Sequence, residues 1–302
     1  GLVVAMTGDG VNDAPAVKGA HVGVAMGLKG TEVTQEASDM ILIDDNYATI
    51  VNAIEEGRGI FETTKGFFRY MLSTNFDEIF LILVAYIIMK LFVNVFLGAP
   101  IEPIQILWLN IATDGIPAMV LGFTPTDPDV MKGPPRKGFT LLKEIRGPAL
   151  LLGIYTAITD IALYIVLWTV LIPAWSVIDP NLTGYLSPGP SQTYAISLAQ
   201  TILFTSLVVC ELLFVYTCTS NTKPFYLFPN KHLFWATGLS LGLQLLILYT
   251  PMAIAFHVVP LTEWYHWATL FITAFSVSVV DELRKYRIRL KIKKDPNYLF
   301  KS

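Results

Sequence analysis

The sequence predicts a mainly α membrane protein, six transmembrane helices preceded by a short α/β segment. Three observations predict it. The 302 residues are 53% hydrophobic and 15% charged, and the mean hydropathy is +0.54. Six apolar stretches each approach the ~20 residues that a bilayer crossing needs. Ahead of them, short apolar strands alternate with short helices, the pattern of an α/β layer. Both cysteines, Cys210 and Cys218, lie in or beside an apolar span, which excludes a disulfide scaffold and a paired-cysteine metal site. The net charge of −3 offers no basic surface, so no nucleic-acid partner is expected, and the lipid bilayer is.

In chain order, Leu2 to Met6 is an apolar run ending in the Gly-rich turn Thr7-Gly-Asp-Gly-Val-Asn-Asp-Ala-Pro15. Ala16 to Ala20 is expected to be a short helix, and His21–Met26 and Met40–Ile43 strands, before Asp44-Asp45-Asn46. About 45 residues are too few to bury a core alone, so residues 1–46 are expected to be the end of a larger domain. The chain opens Gly-Leu-Val-Val, with no basic-then-apolar leader, and is expected to be a piece of a longer protein. Residues 47–67 form a polar helical stretch running into the first span. Residues 68–281 hold the membrane helices and 282–302 a basic tail.

The spans are expected at Phe68–Phe96, Pro103–Phe123, Pro148–Ile172, Ala195–Thr217, Leu233–Phe256 and Trp264–Val280. Lys132, Arg136, Lys137, Lys143 and Arg146 follow the second span, and Lys223 and Lys231 the fourth. Seven Lys or Arg, from Arg284 to Lys294, follow the sixth. The intervening loops, around 97–102, 173–193 and 257–263, have none. The positive-inside rule then makes the front segment, the even loops and the tail cytoplasmic. Trp168, Trp175, Trp264, Tyr265 and Trp267 are expected at the membrane–water interfaces.

Polar residues interrupt the spans. Gln105-Ile-Leu-Trp-Leu-Asn-Ile-Ala-Thr-Asp-Gly-Ile-Pro-Ala118 carries Asn110, Thr113 and Asp114 in its middle. A carboxylate at that depth costs at least ~2.5 kcal/mol and usually marks an ion or substrate path. Offsets of three and four put the three residues on one helical face, and Gly115 and Pro117 loosen the helix there. Asn75 and Glu78 share a face of the first span, Asp77 points elsewhere, and Glu211 stands in the fourth span. Lys90, toward the outer end of the first span, is almost the only cation at hand. Something positive must compensate, protons or a bound cation, and a divalent ion on the oxygens of Asn75, Glu78, Thr113, Asp114 and Glu211 would do so. The competing reading is that these acids stay protonated and hydrogen-bond between helices. For Asp160 and Gln244 that plainer reading is preferred.

In Thr7-Gly-Asp-Gly-Val-Asn-Asp13, two carboxylates four residues apart follow a strand, where α/β sheets place their chemistry. They suit Mg²⁺ and a phosphoryl group, although such sequences are also ordinary turns. As a whole, TGDGVNDAPAVK closely resembles the hinge motif of P-type ion-transporting ATPases. RYMLSTNFDEI and QILWLNIATDGIPAMVLGF resemble the fifth and sixth transmembrane helices of calcium pumps of the sarcoplasmic/endoplasmic reticulum type. The resemblance covers nearly the whole chain, and its motifs are long and specific.

The resemblance implies that residues 1–46 end a HAD-like, Rossmann-type phosphorylation domain. It implies Asp9 as the Mg²⁺ residue, and Asn12 and Asp13 as positioning the phosphorylation site. It further implies Asn75, Glu78, Thr113, Asp114 and Glu211 as ligands of one Ca²⁺, with Asn110 and Asp114 contributing to a second. Asn110, Glu78 and Glu211 match the calcium-pump pattern within the family. Asp77 departs from it, since reticulum-type pumps carry Gly there, and this keeps Na⁺, H⁺ and Mn²⁺ open as cargo. Thr126-Asp-Pro-Asp129 resembles the family's cytosolic coupling loop. No DKTGT, TGE or nucleotide-binding sequence is present, so ATP is expected to bind on N-terminal domains of the same protein. The implied function is the C-terminal part of an ATP-driven Ca²⁺ pump, in the plasma membrane if the source is prokaryotic. The alternatives are a pump for another cation and a truncated, non-catalytic membrane module.

Overall fold

The computed structural model describes residues 2–92, 99–133, 141–184 and 189–294, with side chains to residue 87 in the first stretch. The chain divides into two compact units, Gly1–Glu62 with Thr126–Lys143, and Thr63–Pro125 with Glu144–Ser302.

In the first unit, β1 (Ala5–Gly8), β2 (Val22–Met26) and β3 (Met40–Leu42) form a parallel sheet in the order β1-β2-β3. Ala5 lies beside Val22 and Val24 beside Met40. Parallel neighbours need crossover connections, and the short helices α1 (Ala14–Gly19) and α2 (Glu32–Ala37) supply them. Val24, Met26 and Leu42 form the small core. The apolar run Leu2–Met6 becomes a strand only from Ala5, and the strand continues to Gly8, while α1 starts two residues before the expected Ala16, with Pro15 in its first turn, where a missing N–H costs nothing. The sequence reading placed no element at α2, which is only six residues long.

The second unit is helical. α3 (Tyr47–Phe92) enters it. α4 (Pro103–Trp108), a π-helical turn (Leu109–Asp114) and α5 (Gly115–Leu121) form the next length of helix. α6 (Leu141–Val166) runs through a second π-helical turn (Leu167–Leu171) into α7 (Ile172–Trp175). α8 (Pro190–Thr217), α9 (Lys231–Tyr249), α10 (Met252–Ala255) and α11 (Trp264–Lys294) complete the chain.

Among the described residues, five helical lengths are long and apolar enough to cross a membrane: Tyr47–Ile87, Pro103–Leu121, Leu141–Trp175, Pro190–Thr217 and Lys231–Tyr249. The sixth expected span is helical but does not join them. Trp264, Tyr265, His266 and Trp267 open it, and Thr269, Thr273, Ser276 and Ser278 thin its apolar content. α8 is the central helix, with 94% of its most apolar stretch buried, and α11 packs along it.

Several boundaries differ from expectation. The fifth helix stops at Tyr249 rather than Phe256, because Pro251 forces Thr250 into extended backbone (φ −121°, ψ 172°). Lys143 and Arg146 lie inside α6 rather than in a loop, and the basic residues from Arg284 to Lys294 continue α11. Trp175 is buried, and it packs against Tyr265 and His266 at centroid distances of 5.0 and 4.9 Å. Arg136, Lys137 and the Lys90 side chain lie outside what is described.

Gly153 fixes the approach of α6 to α3. A Cβ there would sit 2.7 Å from both the Phe76 Cβ and the Ser73 carbonyl oxygen. Gly153→Ala is expected to lower the stability of the full-length protein by about 1–3 kcal/mol through overpacking. Gly147→Ala, on the same helix with open space around it, is not. Thermal unfolding of both variants checks this, and equal melting temperatures would remove the close-approach argument.

Candidate functional site

The π-helical turn at Leu109–Asp114 has a local cause. Pro117 has no N–H to give to the Thr113 carbonyl, its ring crowds that carbonyl, and Gly115 weakens the helix between them. The wider turn releases backbone oxygens, and Ser240 of α9 donates to the freed Ala112 carbonyl at 2.8 Å. The turn also redistributes the three polar side chains that a regular helix would align. Each meets a different partner on a neighbouring helix.

Asn110 sends its amide nitrogen to both oxygens of Glu78 on α3, at 2.9 Å each, and to the Ile106 carbonyl at 3.0 Å. The Thr113 hydroxyl lies 2.8 Å from the Leu109 carbonyl and 3.2 Å from Oε2 of Glu211 on α8. Asp114 accepts a hydrogen bond from the Tyr70 hydroxyl of α3 at 2.8 Å. Thr113 and Asp114 are fully buried, and Glu78 and Glu211 nearly so. No protein donor reaches Asp114 Oδ2 or Glu211 Oε1, and the two carboxyl groups lie within hydrogen-bonding reach of each other, where one shared proton would join them.

Among the residues named from sequence, Asn110 meets Glu78, Thr113 meets Glu211, and the Asp114 carboxyl meets both the Tyr70 hydroxyl and the Glu211 carboxyl. Asn75, half-buried, turns its amide nitrogen back to the Met71 carbonyl at 2.6 Å. Among the described residues no three His, Cys, Asp or Glu side chains close on a single point that could hold a metal ion. What the arrangement offers is oxygen atoms from three helices, with the Asp114 and Glu211 carboxyls side by side, the donor type that hard cations take. Tyr70 was missed by sequence reasoning. Its signal was available: Tyr70, Thr74 and Glu78 recur every four residues along one helical face.

Gln244 bonds across helices, to the Thr205 hydroxyl at 3.4 Å, in line with the plainer reading of it. Asp160 is buried on α6, and its Oδ2 has no hydrogen-bond partner.

The Gly-rich loop belongs to the first unit. Asp9 follows β1 directly and is exposed, as is Asn12. Asp13 turns inward, its Oδ2 accepting from the backbone N–H of Asp9 at 3.2 Å and of Gly10 at 3.0 Å. Gly8 has to be glycine, because a Cβ there would lie 2.5 Å from the Asp13 Cβ. Two threonines brace the loop from α2 and its entry. Thr31 N–H donates to the Asp9 carbonyl at 2.9 Å, and the Thr34 hydroxyl to the Gly10 carbonyl at 2.7 Å. Sequence reasoning named neither, and a lone Thr in a loop carries no such signal.

This donor set fits a Mg²⁺ that keeps most of its water. One carboxylate, Asp9, faces solvent at a strand's C-terminal end, while Asp13 holds the backbone beneath it. The N–H groups of Gly10 and Asp9 hold the Asp13 carboxyl below the usual carboxylate range.

Comparison with known proteins places the site in context. The family described as "Cation transporting ATPase, C-terminus" matches residues 98–287. The chain is similar to a calcium-transporting ATPase of Plasmodium falciparum, 37% identical over 333 residues, covering 98% of this chain and 26% of that protein. It is similar to endoplasmic reticulum-type calcium-transporting ATPase 3 of Arabidopsis thaliana, at 37% over 95% of this chain and 29% of that one. A calcium-transporting ATPase of Bacillus subtilis is 39% identical over 87% of this chain and 27% of its own length. The chain thus spans about a quarter to a third of the length of these relatives.

Two outcomes are expected from this geometry. Tyr70→Phe removes the hydroxyl that partners Asp114 and is expected to destabilise the full-length protein by about 1–3 kcal/mol, read by thermal unfolding. No change would mean the bond contributes nothing. For Asp13 the folded-state value is depressed, so its hold on the loop is complete above the ordinary 3.8 and is lost as pH falls through the lowered value. Hydrogen exchange at the Gly10 amide should stay protected below pH 3.8, and early loss would contradict the geometry.

Proposed function

This chain belongs to the cation-transporting ATPase family, as its C-terminal membrane region, and from that membership we propose that it is the C-terminal part of an ATP-driven P-type pump moving Ca²⁺ out of the cytosol. The observation that carries the reading is the polar turn Leu109–Asp114, whose Asn110, Thr113 and Asp114 reach Glu78, Glu211 and Tyr70 on two other helices in an apolar bundle. Glu78, Asn110, Thr113, Asp114 and Glu211 are the proposed Ca²⁺ ligands, with Asn75 joining once its amide oxygen turns inward. Calcium is favoured among cations because the similar proteins named above carry that cargo in their names, and because carboxylate, amide and hydroxyl oxygens are its preferred ligands.

In this proposal α11 makes a sixth crossing, with the front segment and basic C-terminal end cytoplasmic, as the charge bias supports. Residues 1–46 complete a HAD-like phosphorylation domain supplied by the rest of the protein, which also binds ATP. Asp9 would hold Mg²⁺ there, and the ion would neutralise charge on the phosphoryl group. Asn12 and Asp13 shape the loop that presents Asp9. Ion release needs affinity to fall, so the ligands must separate. α3 carries both Tyr70 and Glu78, and a shift of that one helix moves two partners of the polar turn together.

The test is the ion dependence of ATP hydrolysis by the full-length protein in membranes, with Ca²⁺, Na⁺, K⁺ and Mn²⁺ titrated separately under Mg²⁺. Stimulation by Ca²⁺ is expected. Glu78→Gln is expected to raise the Ca²⁺ needed for half-maximal phosphorylation by about tenfold or more, the loss of one charged ligand. Unchanged Ca²⁺ dependence would overturn the ligand assignment. Stimulation by another cation alone would replace the cargo. Absence of ATPase activity with every ion would favour a non-catalytic membrane module.

A further inference from the structure

The end of α11 plays no part in the cluster above. Its 31 residues, at 1.5 Å each, make a rod of about 46 Å, close to the ~40–45 Å of a bilayer with its headgroups. In the crossing proposed above, with Trp264, Tyr265 and Trp267 at the outer interface, its last turns therefore lie level with the inner headgroups. From Leu283 to Lys294 the chain carries seven Lys or Arg and no Asp or Glu.

The two sides of these turns differ. Asp281, Lys285, Ile288 and Ile292 follow one another at helical spacing on the packed side, the first two buried and the isoleucines half-buried. That side is tied to the bundle, since Asp281 lies 3.5 Å from Arg69 of α3, and Arg289 at its edge donates to the Thr222 carbonyl at 3.1 Å. The opposite side carries Leu283, Tyr286, Arg287, Leu290 and Lys294, again three or four residues apart and all exposed. Leu283, Tyr286 and Leu290 are 55, 52 and 43% exposed and run as one stripe. At 100° per residue, Lys293 flanks that stripe on one edge and Arg287 and Lys294 on the other, all three exposed. A side facing only water needs its charges but not an apolar stripe between them. A stripe edged by cations matches a boundary that is apolar in one layer and anionic in the next.

We propose that Leu283, Tyr286, Arg287, Leu290, Lys293 and Lys294 form a surface that binds anionic phospholipid of the cytoplasmic leaflet. The lipid phosphate lies against the three cations, and the upper acyl chain against the stripe. The proposal rests on the reading of α11 as a sixth crossing, and it is independent of the cargo. Lipid is favoured over a soluble acidic partner because the surface continues an unbroken helix out of the bilayer, so that a lipid reaches it by lateral diffusion. The charge is also complementary, with every ionisable group on this side a cation. The packed side of the same turns holds Arg69, one residue before Tyr70, so bound lipid steadies the end of α11 without touching the ion cluster.

The experiment uses the full-length protein in detergent micelles doped with phosphatidylglycerol or phosphatidylcholine, repurified, with the retained lipid measured by mass spectrometry. Phosphatidylglycerol is expected to reach half-retention at about a tenfold lower mole fraction than phosphatidylcholine, and high salt should shrink that preference. Replacing the cations together, Arg287→Gln, Lys293→Gln and Lys294→Gln, is expected to reduce the preference to about twofold or less. Leu290→Ser, with no change of charge, should weaken retention of both lipids. Should the triple variant fail to fold, Arg287→Gln and Leu290→Ser carry the test. Equal retention of the two lipids by the unaltered protein would overturn the surface. A preference unchanged in the variants would overturn it too, and give this side of α11 to another part of the protein. Displacement of phosphatidylglycerol by inorganic phosphate would overturn the lipid and leave a soluble-anion site. Separately, a membrane-impermeant thiol reagent should reach Lys294→Cys only from the cytoplasmic side. Reaction from the outer side would remove the crossing, and with it the cytoplasmic leaflet, while the lipid measurement would still decide the surface.

Discussion

A carboxylate taken out of water must be neutralised, and the arrangement of the second unit follows from how it meets that requirement. Desolvating an ion costs several kcal/mol even after the protein relaxes, more than any one neutral hydrogen bond returns. α3, α8 and the broken helix at Leu109–Asp114 together bury Asp77, Glu78, Asp114 and Glu211 to within a few per cent of complete exclusion from solvent. The local backbone bends to serve these groups. The π-helical turn spreads Asn110, Thr113 and Asp114 around the helix, and each then reaches a different acid or hydroxyl. A regular turn would stack them on one neighbour.

Much of this was legible in the chain. Apolar length marks the spans, and an acid inside such a span stands out because it is expensive there. Gly115 and Pro117 announced a weak helix at the right place. The kind of weakness was not announced, because Gly and Pro lower helix stability without saying whether the backbone kinks, frays or widens. Asp77 shows the same limit. Its offset from Glu78 says only that the two side chains diverge, and only packing brings Thr156 and Glu211 near it. Tyr70 was hidden for another reason. An aromatic ring in a membrane helix is ordinary, and its hydroxyl matters only because Asp114 lies 2.8 Å away on another helix. The break after Tyr249 could have been placed from Pro251 alone, whereas the burial of Trp175 against Tyr265 depends on a residue ninety positions distant.

The front loop reflects a different balance. Its Asp13 is not deeply buried and is satisfied by two backbone N–H groups, so it acts as an internal brace that leaves Asp9 free. Thr31 and Thr34 add two further ties to the carbonyls of the same loop. A loop held by its own backbone in this way presents one carboxylate to solvent without needing a metal to organise it. That is pre-organisation of the kind a weakly held, largely hydrated ion requires.

The same helices also show that the protein can pair buried charge with charge. Arg69, nine residues before Glu78 on α3, is fully buried, and its guanidinium lies 3.5 Å from Asp281 of α11. Asp281 is held at 2.7 Å by Arg284, and Lys285 bonds Glu282 at 2.7 Å. Arg69 also donates to the Thr217 carbonyl at the end of α8 at 2.7 Å. Here protein cations sit beside protein anions, and the result ties α3, α8 and α11 together. About 13 Å along α3, at 1.5 Å per residue, Asp77, Asp114 and Glu211 have no such partner among the described residues. A scaffold that only needed stability could have repeated the first solution, or replaced the acids with apolar groups of similar size at little cost. Fixed counter-charges at one level and none among the described residues at the other leave the second level to be neutralised by protons or by a bound cation. A cation that arrives and leaves fits that description, and this contrast supports a transport reading of the polar turn.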